Sequence, residues 1–190
     1  MSTLTIDRRS NLWEVTSRTI VYAAIGAALY GVLSLFSFLL PGTTNVSLRP
    51  AFALVPFFGY AFGPLVGLFV GFVGNSIGDQ LAGYGFLTYW NWSLANGFVG
   101  LVAGLAPLYI ANLMNGPISR RAIGGAVAGV VGSVVGFLFV FSDIVVGGAS
   151  FDSLLTTGYI PIVIADIIVS VILIPILVYA WERVKEQLGR

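Results

Sequence analysis

Histidine and cysteine are absent, and lysine occurs once, at Lys185. Without histidine the chain lacks the commonest general base and metal ligand. Without cysteine it has neither a disulfide framework nor a thiolate site. A lone lysine near the C-terminus also excludes a GxxxxGK[ST] phosphate loop, and with it ATP hydrolysis by the usual route. Charge is scarce too: 9% of the 190 residues are charged, against about a quarter in a soluble globular domain. That is too little to cover a water-exposed surface. The formal net charge of +1 gives no reason to expect nucleic acid as a partner.

What is present is apolar. Hydrophobic residues make up 57% of the chain and the mean hydropathy is +0.96. A membrane-crossing helix needs roughly 20 mostly apolar residues, so six of them use about 120 and leave about 70 for ends and loops. The expected architecture is an all-α integral membrane protein, one domain over 1–190, with six transmembrane helices at about 17–40, 50–60, 63–81, 88–113, 122–146 and 158–181. The second span is short and carries Pro56, which predicts a kinked or partial crossing. The opening residues, Met1 to Asn11, are largely polar and lack the short apolar core and cleavage site of a signal peptide. The first apolar run is therefore expected to be a retained helix.

Basic residues set the orientation. Arg8, Arg9 and Arg18 precede or open the first span, Arg120 and Arg121 separate the fourth from the fifth, and Arg183, Lys185 and Arg190 follow the sixth. With six spans, all three groups fall on one side and only Arg49 lies opposite. Both termini are thus expected in the cytoplasm. Glycines recur at every fourth position, at Gly63, Gly67 and Gly71, at Gly100 and Gly104, and at Gly125 and Gly129. Small residues so spaced share one helix face and let backbones approach closely.

Charges inside a span are expensive and usually functional. In this topology Arg49, Asn75, Asp79, Asn96 and Asp166 all fall in the outer half of the membrane, beside an aromatic group that includes Tyr84, Trp90 and Trp92. Asp143 and Asp152 are read as interfacial. The asymmetry predicts a polar cavity open to the outside, in which a planar ligand stacks on rings and bonds to amides and acids. An interfacial aromatic belt is the plainer explanation of the rings. A structural ion pair with Arg49 is the plainer explanation of Asp79 or Asp166.

Three motifs are discounted. Gly74-Asn75-Ser76-Ile77-Gly78 matches GxSxG, but that motif needs a strand-to-helix turn and a base. Asn45-Val46-Ser47 and Asn91-Trp92-Ser93 match glycosylation sequons, a pattern short enough to arise by chance. The acids are too dispersed for paired-carboxylate metal chemistry. No catalytic residue, metal site or cofactor is expected.

Three stretches carry a resemblance to a known family. They are Ala23-Ala24-Ile25-Gly26-Ala27-Ala28; Ser47-Leu48-Arg49-Pro50 leading to Phe62-Gly63-Pro64-Leu65-Val66-Gly67; and Gly78-Asp79 with the aromatic loop and Asn96-Gly97. Together they resemble the S component, or substrate-binding subunit, of energy-coupling factor (ECF) vitamin transporters, in the riboflavin-type branch. The resemblance implies binding of a small water-soluble vitamin or precursor, such as riboflavin, a thiamine-precursor pyrimidine or a pyridoxine-like compound. It implies a gating first loop, about 41–48. It implies work in a prokaryotic cell membrane with a transmembrane coupling subunit and two cytosolic ATPases. The AxxxA faces, Ala23/Ala27 and Ala24/Ala28, would pack on the coupling subunit. Beside it stand a self-sufficient proton-coupled secondary transporter, with Asp79 or Asp166 as carrier, and an intramembrane enzyme. The first lacks a visible inverted repeat; the second lacks histidine, cysteine and clustered acids.

Overall fold

The computed structural model describes residues 11–43 and 46–187. Arg8, Arg9, Thr44, Asn45 and Arg190, which entered the reading above, lie outside them. The described chain is almost entirely helical, with one two-stranded hairpin. Six main helices alternate in direction: α1 (Ser17–Leu33), α2 (Leu54–Phe62), α3 (Pro64–Leu81), α4 (Trp90–Gly104), α5 (Ile118–Gly136) and α6 (Ile160–Gln187).

Helix α1 begins at a capping box, in which Thr16 and Thr19 exchange side-chain and backbone bonds. It stops at Leu33, although the apolar run continues to Leu40. The remaining residues turn and form strand β1 (Phe38–Leu39), antiparallel to β2 (Ser47–Leu48). The hairpin is held by Leu40 N–H donating to Val46 C=O at 2.9 Å, and by burial of Val46.

A 3-10 turn, Pro50–Ala53, feeds α2. The two together are roughly 21 Å long at about 2.0 and 1.5 Å per residue, shorter than a hydrocarbon core of about 30 Å. Gly63, at φ 105°, reverses the chain directly into Pro64 of α3, a backbone conformation that favours glycine. Two short helical turns, Ala106–Tyr109 and Ala111–Met114, join α4 to α5. Beyond Gly136, α5 continues through a 3-10 turn to Val146, and α6 is preceded by a π-helical turn, Leu154–Tyr159.

Helix α3 is the packing centre, lying on both α1 and α4. The glycine spacing explains how. A Cβ on Gly67 or Gly100 would collide with the backbone of the other, and one on Gly71 with the carbonyl of Asn96. The α3 and α4 backbones therefore touch directly, which fixes Asn75 of α3 opposite Ser93 and Asn96 of α4.

Large apolar side chains face outward along α1 (Ile20, Val21, Ile25) and α6 (Ile164, Ile168, Ile172). Exposed apolar area on this scale marks a surface that is covered by something other than water. The stretches 118–146 and 151–187 are each long and apolar enough to cross a membrane by length and composition.

Candidate functional site

The end of α3 and the start of α4 bring polar groups together inside an apolar bundle. Asn75 is at their centre. Its Oδ1 accepts from Arg49 Nη1 at 2.8 Å. Its Nδ2 donates to Asp79 Oδ2 at 2.9 Å and to Ser93 Oγ at 3.0 Å. From α1, the Tyr30 hydroxyl donates to Asn96 Oδ1 at 3.0 Å, with Asn75 Oδ1 at 3.4 Å. Asn96 Nδ2 donates to the Trp92 carbonyl at 3.0 Å. Tyr30, Asn75, Asp79, Ser93 and Asn96 are all buried. Buried polar groups are stable only when bonded, and this network meets that demand mostly with side chains, the Trp92 carbonyl being the main-chain partner.

Asp166 of α6 completes the cluster differently. It is 2% exposed and its Oδ2 has no hydrogen-bond partner. It lies within electrostatic reach of Arg49 and Tyr30. One turn further along α6, Ser170 is fully buried and its Oγ is likewise without a partner. Among the described residues, Arg49 forms no ion pair with Asp79 or Asp166. An amide, Asn75, stands between the guanidinium and Asp79 instead.

The sequence-expected residues divide. Arg49, Asn75, Asp79 and Asn96 join one network, and Asp166 adjoins it. Trp92 contributes its carbonyl, while its ring packs over Gly158 ahead of α6. Tyr84 and Trp90 stay outside, 56% and 41% exposed; Tyr84 meets Tyr89 edge-on. Asp143 is more than interfacial: Asn91 Nδ2 donates to it at 2.9 Å and Trp92 Nε1 at 3.3 Å. Asp152 is exposed.

Tyr30, Ser93 and Ser170 were not singled out from the sequence. A tyrosine in an apolar run reads as packing, and lone serines are common in helices. Ser76 of the GxSxG match donates back to the Phe72 carbonyl at 2.9 Å within α3. In the Asn91 sequon both Asn91 and Ser93 are buried.

The alanine motif splits in two. Ala23 and Ala27 are buried, at 8% and 2% exposure, because Ala27 sits where α1 crosses Gly74 of α3. Ala24 and Ala28 face outward.

The cavities also differ from expectation. The larger, about 620 Å³, lies at the end of the bundle away from the polar network, among Thr16, Tyr60, Arg121, Trp181, Glu182 and Lys185. There Glu182 accepts from Arg121 at 2.5 Å and pairs with Lys185 at 2.6 Å. A second, about 300 Å³ and apolar, lies between the end of α1, residues 50–54 and α6. The network residues point at one another because each amide has a partner within bonding distance. Among the described residues, no group of three or more acidic, histidine or cysteine side chains is placed to hold a metal.

A helical bundle with an apolar exterior and a buried, hydrogen-bonded polar cluster is the build of a membrane protein that handles a polar solute. The comparisons place it more closely. The family model for the ECF-type riboflavin transporter S component matches residues 14–183, and the chain belongs to that family. A UPF0397 protein of Vibrio atlanticus (strain LGP32) is 40% identical over 124 residues, 64% of this chain and 67% of the relative. The protein is accordingly a membrane-embedded transporter component of the vitamin type, a class of binding subunit and not of enzyme.

Proposed function

We propose that this chain is the high-affinity substrate-binding subunit of an ECF-type importer for a small water-soluble vitamin or precursor. Riboflavin, a thiamine-precursor pyrimidine and a pyridoxine-like compound are the substrates under test. The chain spans a prokaryotic cell membrane six times, with both termini and the Arg121–Glu182–Lys185 cluster on the cytoplasmic side. ATP is hydrolysed on two partner chains, which act through a transmembrane coupling subunit docked on the Ala24/Ala28 face of α1.

The observation that carries this reading is the network from Tyr30 to Asn96 beside Asp166. It gathers amides, acids and a guanidinium from four parts of the chain. Such convergent polar groups in an apolar frame are what a small-molecule site requires. The hairpin at 38–48 leads straight into Arg49, so a movement of this loop is transmitted to the network. Substrate entry then exchanges some bonds of Asn75 and Asn96 for bonds to the ligand.

The test is mass spectrometry of small molecules released on denaturing the purified protein, paired with uptake in cells. The expected result is one vitamin-like compound, recovered unchanged, and uptake that stops when the ATPase partners are deleted. The unpartnered Asp166 oxygen favours one competing reading, a proton-coupled secondary transporter. Uptake that persists without the ATPases and collapses with the proton gradient would establish it instead.

A further inference from the structure

We propose that the larger cavity, at the end of the bundle away from the polar network, seats the headgroup of an anionic phospholipid. The phosphate lies on Arg121 and Lys185, and the glycerol and first acyl carbons lie on the apolar wall beside them. This goes beyond the substrate-binding reading and does not depend on it.

The shape and lining of the cavity are the first ground. Its volume is about 620 Å³, within the range of about 300–1,000 Å³ that holds a small-molecule-sized group. Phe57, Phe62, Met114, Val178 and Trp181 supply an apolar side, and Arg121, Glu182 and Lys185 a charged one. The apolar side is held in place by its own packing: Phe62 stacks on Tyr22 with ring centroids 4.2 Å apart and meets Trp181 edge-on at 5.0 Å. A hollow so divided suits neither water alone nor a bare ion. It suits an amphiphile, and the chain belongs to a membrane-embedded family.

The second ground is that the charged side keeps donors in hand after its internal bonds are made. Glu182 accepts from Arg121 Nη1 and pairs with Lys185, which engages one N–H group of each cation. Arg121 Nε is buried and has no partner among the described residues, and a buried donor left unbonded is costly. The backbone behind it is fixed, because the Tyr60 hydroxyl of α2 donates to the Arg121 carbonyl of α5 at 2.9 Å. Arg121, Lys185 and Glu182 sum to one positive charge, and Glu14, the other acid at the cavity, is exposed at its rim. The free edge of a guanidinium matches the spacing of phosphate oxygens. Basic pockets between transmembrane helices on the cytoplasmic side bind lipid headgroups in this way, and this end is the one proposed above to face the cytoplasm.

The experiment adds lipid to delipidated, detergent-purified wild type and follows retention by native mass spectrometry and melting temperature. Phosphatidylglycerol is expected to stay as a single bound lipid and to raise the melting temperature. It should bind at least about tenfold more tightly than phosphatidylcholine with the same acyl chains, whose choline cancels the phosphate charge. Inorganic phosphate in excess should not displace it. Arg121→Lys keeps the charge that faces Glu182 but removes the Nε donor, and should weaken phosphatidylglycerol about tenfold. Ala61→Trp fills the cavity from α2 without touching the charges, and should abolish retention even where Arg121→Lys fails to fold. Equal retention of the two lipids overturns the inference, since it describes a general lipid shell. Displacement by inorganic phosphate also overturns it, by making the site one for a free anion. So does undiminished phosphatidylglycerol binding in either folded variant. None of these outcomes bears on the vitamin released by denaturation, so the substrate-binding reading is tested separately.

Discussion

Asn75 has more side-chain partners than any other residue of the network, so it is where a single change should matter most. Its amide bridges a cation and an anion that would otherwise lack contact: Arg49 on one side, Asp79 and Ser93 on the other. Asn75→Leu fills similar volume yet leaves all three without that partner. Each buried group so orphaned costs about 1–3 kcal/mol. We expect a fall of several degrees in melting temperature and loss of ligand binding, measured together by thermal shift with and without ligand. Ser93→Ala removes only one acceptor of Nδ2, which keeps its bond to Asp79, so its effect should be the smaller. Equal effects of the two variants would show that Asn75 is not the centre.

At the scale of elements, the crossing of α3 and α4 sets the site. Gly67 and Gly100 meet backbone to backbone, so Gly100→Val must push the helices apart. Overpacking of this kind costs typically 1–3 kcal/mol or more, and it also displaces Asn96, which sits one turn away on α4. Binding should fall along with stability in the same melting and titration experiments. The two faces of α1 allow packing to be tested apart from the proposed docking. Ala27→Leu enters the buried crossing with α3 and should lower stability. Ala28→Leu faces outward and should leave ligand binding intact while abolishing uptake. Uptake unchanged in Ala28→Leu would remove this face as the coupling surface.

Which elements were legible follows the same division. Glycines every fourth residue announced close backbone contact, because a bare backbone surface has a spacing that can be read, but which helices meet there is shown by the structure. The polar residues of the network stood out because amides and acids are conspicuous in apolar runs. The inward face of α1 was not readable. Alanine, isoleucine and valine occur all round that helix, so in an apolar exterior the 3.6-residue hydrophobic stripe that marks burial in soluble proteins vanishes. For the same reason the end of α1 at Leu33 was hidden: Leu35, Phe36, Phe38 and Leu39 of the turn and hairpin are as apolar as the helix before them. Tyr30 was missed because its place in the network is set by where its hydroxyl points, and sequence carries no such direction.

For the whole molecule, the separation of charge between the two ends gives a sharp topological test. Acids without basic neighbours lie at the hairpin end, at Asp143 and Asp152; the basic cluster and Glu186 lie at the other. The positive-inside bias predicts that the second end faces the cytoplasm. The chain contains no cysteine, so any cysteine introduced is the sole thiol to be labelled. Asp152→Cys is suitable at one end because the residue is exposed. Glu186→Cys is suitable at the other, since its pair with Arg183 is exposed at 57% and 53% and such pairs contribute about 0–1 kcal/mol. In intact cells a membrane-impermeant maleimide should label Asp152→Cys and spare Glu186→Cys until the cells are permeabilised. The reverse pattern would put the polar network on the cytoplasmic side, and an importer that receives its substrate from outside through the 38–48 hairpin would no longer be tenable. Labelling of both in intact cells would put the two ends of α6 on one side of the membrane, so α6 (Ile160–Gln187) would be the helix to reassign.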